Sequence, residues 1–341
     1  MNTFLIGKRD IAQGEVPFII EEGQANLGRH PVALDMIQAA GRAGADGIEF
    51  QLANADDFYV RSHPGYDIYK SREFTSEQIV YLAQAAGEAG LGFIACAFSP
   101  RLVRLLSQAG CAAFNVNASD LTNPEMLDAV CESSRPFFLS IPLATLDEID
   151  WAVARVRDHG ANTFALLLGQ HIMATSSGGV PAEATCLGAI GMLRSRYGVP
   201  VGFIDHTAYQ WMPAAAVAAG AAVVTKHMAI SRAERGPDWH ICLEPGEMAE
   251  AVRMARGVTS SIRTLDKIVA PGELPDRKVM RRSIVARHSL PVGHRIARDE
   301  LAFKRPGNGI EPRFVDRVVG SVTARPISPD EPFGWDALVS A

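Results

Sequence analysis

Along roughly the first three-quarters of the chain, short apolar runs alternate with stretches whose apolar residues recur at helical spacing. The runs at 18–22, 47–51, 92–97, 113–116, 137–140, 164–168, 201–205 and 222–226 are mostly apolar without polar alternation, the pattern of strands buried on both faces. Helical spacing predicts helices over 32–43, 76–89, 100–109, 124–133, 146–158, 182–197, 212–219 and 246–264. Gly44, Gly90, Gly110, Gly160 and Gly220 stand just before the next strand, where a left-handed residue stops a helix. Eight β/α repeats in about 265 residues have the size and rhythm of a TIM barrel. A doubly wound open sheet is the alternative, and eight repeats favour closure.

Residues 4–17 read as a hairpin with its turn near Gln13-Gly14, placed to plug the barrel's N-terminal face. The segment 53–75 is long for a βα connection and carries Asp56, Asp57, Tyr59, Arg61, His63, Tyr66 and Tyr69, the profile of a lid. A second long connection, rich in Gly and Ser, spans 169–181. Near Val269 the pattern changes: Ala270-Pro271-Gly272-Glu273-Leu274-Pro275-Asp276 reads as a linker by its turn residues. Short strand patterns then follow at 283–286, 295–296 and 318–324, between Pro/Gly turns. The expected division is a barrel over 1–268, a linker over 269–280 and a small β-rich domain over 281–341. At that size the second domain would be marginal alone and should pack against a partner surface.

Composition narrows the function classes. Hydrophobic residues make up 48% of the 341, enough for a full core, and a net charge of −5 gives no basic field for nucleic acid. No apolar run is long enough to span a bilayer. The N-terminal Met1–Lys8 segment lacks the layout of a signal peptide. Cys96, Cys111, Cys131, Cys186 and Cys242 form no CxxC pair, which fits reduced thiols in a cytoplasmic protein.

Two histidines carry the candidate chemistry. His206 and His227 each close a strand pattern, and a helical stretch lies between the two strands. Strand, helix, strand is a parallel βαβ unit, which sets both imidazoles at one end of one sheet, roughly 5 Å apart. A single histidine at a strand end is ordinarily capped or solvated. Two at one level on adjacent strands can share a divalent metal, at the end of a barrel where chemistry sits.

Longer segments carry a resemblance. Phe18-Ile19-Ile20-Glu21-Glu22, Gly44-Ala45-Asp46-Gly47-Ile48-Glu49-Phe50-Gln51 and Val201-Gly202-Phe203-Ile204-Asp205-His206-Thr207 are followed by Thr225-Lys226-His227, Gly236-Pro237-Asp238 and Leu243-Glu244-Pro245-Gly246-Glu247. Arg281-Arg282-Ser283-Ile284-Val285 and Lys304-Arg305-Pro306-Gly307-Asn308-Gly309-Ile310 come last. In this order they resemble the sialic acid synthases, N-acetylneuraminate synthase and its nonulosonate relatives, over nearly the whole chain. The resemblance implies a TIM barrel with a C-terminal antifreeze-like (SAF) domain. It implies condensation of phosphoenolpyruvate with an N-acetylated sugar aldehyde such as N-acetylmannosamine, giving a nine-carbon 2-keto acid while phosphate leaves by C–O cleavage. It makes His206 and His227 ligands of Mn²⁺ or Mg²⁺, which would activate the aldehyde carbonyl as a Lewis acid. Glu22 would position water or shuttle protons, Asp238 would be a second carboxylate near the sugar, and Gln51 would be a sugar-site residue. Arg305 would reach from the SAF domain into the partner's active site, implying a domain-swapped homodimer. Asp205 is adjacent to His206, but strand alternation points it away.

The chain departs from the family where that family holds the enolpyruvate. Glu49 and Asn115 stand where the resemblance would put lysines, Ile204 replaces a serine and Cys96 a threonine, while Ser140 is retained. Ile141-Pro142-Leu143 replaces a Thr-Gly-Met, Ala25-Asn26-Leu27-Gly28 stands for an Asn-His-x-Gly signature, and 170–175 lacks an aromatic-proline motif. A carboxylate in a phosphate pocket reverses its charge. Three readings stay open: a synthase with a remodelled donor site, a metal-dependent aldolase using a non-phosphorylated 2-keto acid such as pyruvate, and a non-catalytic sugar-binding paralogue.

Overall fold

The computed structural model describes residues 4–11, 14–172, 178–263 and 266–339, in two compact units, Met1–Arg263 and Thr264–Ala341. In the first, eight parallel strands close into a barrel. Counting after the N-terminal strands β1 (Leu5–Ile6) and β2 (Arg9–Asp10), they are β3 (Phe18–Glu21), β4 (Gly47–Leu52), β5 (Gly92–Ala97), β6 (Ala113–Val116), β7 (Phe137–Ser140), β8 (Phe164–Leu168), β9 (Val201–Asp205) and β10 (Val224–His227). Neighbours in sequence are neighbours in the sheet, and β10 pairs with β3 to close it. The chain is a TIM barrel, as its rhythm predicts.

Between the strands run α1 (His30–Ala43), the short α2 (Ala55–Phe58) and α3 (Tyr66–Lys70), then α4 (Ser76–Glu88), α5 (Pro100–Gln108), α6 (Pro124–Glu132), α7 (Leu146–Asp158), α8 (Ala189–Tyr197), α9 (Met212–Ala218) and α10 (Pro245–Ser261). Their starts are written in sequence. Thr75 with Gln78, and Thr145 with Glu148, form reciprocal capping boxes, and Pro31, Pro100, Pro124 and Pro245 occupy first-turn positions that need no N–H. The five glycines expected at helix ends have φ between 75° and 95°.

Both strand faces are buried, so the core has two layers. Phe18, Ile20, Ile48, Phe50, Phe114, Phe164 and Phe203 face the helices. Ile19, Ile94, Phe138, Leu167, Ile204 and Val223 fill the barrel, where Phe4, Ile6 and Ile11 join them from below. The N-terminal hairpin is therefore a plug, with Phe4 and Phe138 ring centroids 5.3 Å apart. Its turn is not near Gln13-Gly14: Leu5 pairs with Asp10 and Ile6 with Arg9, so Gly7 and Lys8 form the tip. Gly7 lies at φ +58, and a Cβ there would come within 2.5 Å of the Asp46 carbonyl oxygen, which explains why the chain reverses at that residue. Gln13 lies outside the described residues.

Three further expectations change. The helix expected over 182–197 breaks into a 3₁₀ turn at Ala182–Ala184 and α8, because Thr185 is extended and the helix restarts after Gly188. The long connection over 53–75 holds two short helices not expected from the sequence, α2 and α3, with the rings of Phe58, Tyr59 and Tyr69 packed together. The segment read as a linker holds α11 (Glu273–Met280), with acids in its first turn and Arg277 and Lys278 in its last, each matching the helix dipole.

The second unit is built from β11 (Ser283–Ala286) paired antiparallel with β12 (Leu301–Lys304), α12 (Val315–Val318), and β13 (Val322–Thr323) paired with β14 (Leu338–Val339). The strands expected at 295–296 and 318–324 shrink to a single bridge, Arg295 to Val322, and to β13. Ile284, Leu290, Ile296, Leu301, Ile327 and Phe333 form its own core. Among the described residues, no helix is long and apolar enough to cross a membrane.

Candidate active site

Strand register brings a set of polar residues to the C-terminal half of the barrel interior. Lys226 pairs with Asp205, so the next residues, His227 and His206, share a level. His227 also pairs with Glu21, and Glu21 with Glu49. The two imidazole centroids are 5.1 Å apart, and the rings are 7% and 1% exposed. Burial pushes the His206 imidazolium well below its usual range, with the His227 and His171 rings adding to the effect. Burial likewise brings His227 down to about 4, partly opposed by the Asp238 charge. Both rings are thus neutral near pH 7, and Nδ1 of each is buried without a hydrogen-bond partner. Neutral imidazoles with idle nitrogens at one level suit a shared metal. Among the described residues no third His, Cys, Asp or Glu completes a ready set of three.

Asp205 and Lys226 lie on the outward face, in phase with Phe203 and Val224, as alternation expects for Asp205. They form a fully buried ion pair of 3.0 Å; Lys226 also donates to the Thr207 carbonyl, and Asp205 Oδ1 accepts from the Thr207 N–H at 2.8 Å. This clamp fastens the two strands directly behind the histidines.

The carboxyl beside His227 is Glu21, one residue before the expected Glu22. Glu21 Oε1 lies 3.5 Å from His227 Nε2 and accepts from Gln51 Nε2 at 2.7 Å. Burial raises its pKa to about 7. Glu22 is fully buried and committed elsewhere. It accepts from the Gln51 N–H at 3.1 Å and from Asn26 Nδ2 at 2.5 Å, and burial raises its pKa to about 7 as well. Asn26 Oδ1 in turn accepts from the Gly28 N–H. Glu22 thereby braces the loop after β3, whose backbone turns through positive φ at Gly23, Gln24, Leu27 and Gly28. A Cβ at Gly23 would sit 2.7 Å from His227 Cδ2, so only glycine lets this loop pass the histidine.

Gln51 joins the two glutamates, by its side chain to Glu21 and its backbone to Glu22. Glu49, Asn115 and Ser140 also come together: Asn115 Nδ2 donates to Glu49 Oε1 at 2.7 Å, and Ser140 Oγ to Asn115 Oδ1 at 2.9 Å. Burial drives the Glu49 pKa well upward. Asp238, half-buried at φ +55, carries a charge felt by His227 and Tyr69. Arg305 is exposed on the other unit, beside an open cleft with Arg277 and Arg281.

Sequence reasoning missed Glu21 and His171. Glu21 was hidden because Phe18-Ile19-Ile20 is apolar on both faces, so no alternation marks which glutamate points inward; the register to His227 decides it. His171, exposed just past β8, meets the His206 ring edge-on at 5.2 Å. It lies in the connection 169–181, of which 173–177 lie outside the described residues.

Comparison with known proteins identifies relatives of both units. The NeuB family model matches residues 36–267, and the SAF domain model matches 281–339. An uncharacterized protein of Methanocaldococcus jannaschii is 32% identical over 99% of each chain. The N,N'-diacetyllegionaminic acid synthase of Legionella pneumophila is 27% identical over 94% of each chain. Among solved structures, the N-acetylneuraminic acid (sialic acid) synthetase of Leptospira borgpetersenii superposes with a TM-score of 0.74 at 26% identity, covering 81% of this chain and 95% of that one.

Proposed function

The chain belongs to the NeuB family and carries a SAF domain, and from that premise we propose that it condenses a three-carbon donor with an N-acetylated amino-sugar aldehyde to give a nonulosonate 2-keto acid. The observation that carries the reading is the buried pair His206 and His227, each with an idle Nδ1, beside Glu21 at the C-terminal end of the barrel. The pair would hold a divalent ion. Two nitrogen donors suit Mn²⁺ better than Mg²⁺, which prefers oxygen. When bound, the ion supplies Lewis acidity to the aldehyde carbonyl.

The protein's own residues supply the rest. The donor's terminal carbon bonds to the aldehyde carbon, and the aldehyde oxygen must gain a proton. Glu21, raised to about 7 by burial and oriented by Gln51, is the interior carboxyl suited to hold or pass that proton. Glu22, Asn26 and Gly23 fix the loop that positions Glu21 against His227. Asp238, whose charge is felt by His227, would hold a sugar hydroxyl. The test is the mass of the product formed from N-acetylmannosamine or related N-acetylated aldehydes with Mn²⁺ and either phosphoenolpyruvate or pyruvate. A nine-carbon keto acid from either donor supports the reading, and no condensation from any combination contradicts it.

The working unit we propose is a homodimer to which Arg305 contributes across subunits. Ending the chain near residue 275 should leave a folded barrel by circular dichroism and remove turnover. A truncated chain with full turnover would refute that role.

A further inference from the structure

Two stretches that depart from the family pattern meet in the fold. Ile141 and Leu143, after β7, and His171 and Ile172, after β8, line one groove at the C-terminal end of the barrel, which Leu146 of α7 and Met192 of α8 complete. Its volume is about 380 Å³, within the range of small-molecule sites. No acid, lysine or arginine lines it. Leu143 is 75% exposed and Met192 47%. Leu143 also lies at φ +65, a left-handed conformation that crowds a leucine Cβ. Exposed apolar side chains around a concavity, one of them on strained backbone, mark a surface that a ligand covers.

His171 joins this groove to the candidate active site. It lines the groove, and its ring meets that of His206 edge-on at 5.2 Å. Gln170, the other polar side chain at that end, has its Oε1 occupied by the Cys186 N–H at 3.2 Å. The polar cluster of histidines and glutamates therefore gives way, across one imidazole, to an apolar trough. A substrate with its aldehyde carbon at the histidines can extend into the trough whatever its next carbon carries. In a 2-amino sugar that carbon bears the amide, and the acyl chain is the apolar part of the molecule.

We infer that the groove takes the N-acyl chain of the sugar and that the preferred chain is longer than acetyl. The inference rests on the synthase reading above and names the acyl class of its aldehyde substrate. An acetyl methyl would leave most of the groove open to water. A chain of about four to six carbons would cover Leu143, Ile172 and Met192, with up to about fourfold in affinity for each methylene fully buried.

The experiment is calorimetric titration of the full-length, Mn²⁺-supplemented protein with N-acetyl-, N-butanoyl- and N-hexanoylmannosamine, alongside condensation read by product mass. Affinity and kcat/KM should rise at least tenfold from acetyl to hexanoyl. In L143S/M192S the ratio of hexanoyl to acetyl should fall to near one. Should that variant not fold, L143G, which suits the positive φ and removes the side chain, should lower the same ratio. Turnover of N-acetylmannosamine with a flat or falling response to chain length would overturn this inference and leave the synthase reading standing. A wild-type dimer that L143S/M192S splits on gel filtration, without any acyl preference, would assign the groove to a second copy and overturn it too. If no aldehyde is condensed, the synthase reading fails and binding alone decides: hexanoyl binding no tighter than acetyl overturns the inference.

Discussion

The two ends of the barrel interior are built on opposite rules. At the N-terminal end, Phe4, Ile6 and Ile11 seal an apolar floor. Asp46 there is fully engaged: it accepts from Arg9 Nε at 2.9 Å and from the Phe18 N–H at 2.7 Å, and it pairs with Arg256. At the C-terminal end, Glu21, Glu49, Thr225 and two neutral histidines each leave one buried polar atom without a partner. One end is complete as folded, while the other is completed by something it binds. Groups that cost stability where they stand mark the end that does chemistry.

The sharpest way to break that contrast is to remove the histidines. H206A/H227A should lower condensation by a factor of ~10³ or more, because the Lewis acid is lost. The melting temperature should hardly fall, since the rings leave idle atoms rather than strong bonds. Next is E21Q, which keeps the hydrogen-bonding shape and removes the proton-transfer group. Turnover measured at fixed Mn²⁺ should fall by a factor of ~10²–10⁴ with no loss of stability. At the opposite end, D46A should cost about 2–4 kcal/mol in urea unfolding, because it strands a backbone N–H and two arginines. Turnover per folded molecule should be unchanged.

The smallest effect concerns Glu49. Its pKa in the folded chain is raised well above the ordinary 4.5 by burial, so the native state holds a proton that the unfolded chain releases. Its favourable contribution is complete below about pH 4.5 and is lost as pH rises toward the folded-state value. E49Q should therefore match wild type near pH 4.5 and become the more stable of the two as pH rises toward 8. A constant difference in stability across that range would show that Glu49 is not the group responsible.

The same contrast explains what the sequence could reveal. The barrel was legible because strands such as 92–97 and 164–168 are apolar throughout and the intervening helices end in glycines that need positive φ. The histidine pair was legible because both residues end strands of one βαβ unit. Side-chain direction was not. In a strand buried on both faces, hydrophobicity does not tell Glu21 from Glu22, and only the pairing of β10 with β3 sets one against His227. The hairpin tip escaped for a related reason: what makes Gly7 the turn is its approach to Asp46, a contact between residues far apart in sequence. Turn-forming residues likewise concealed α11, whose end charges match its dipole.

The most direct test of the idle atoms is calorimetric titration of Mn²⁺ into wild type and H206A/H227A at neutral pH. The account predicts one site per chain in wild type, absent in the folded variant, with a rise in melting temperature on binding confined to wild type. Equal binding by both proteins, or no binding by wild type, would contradict it.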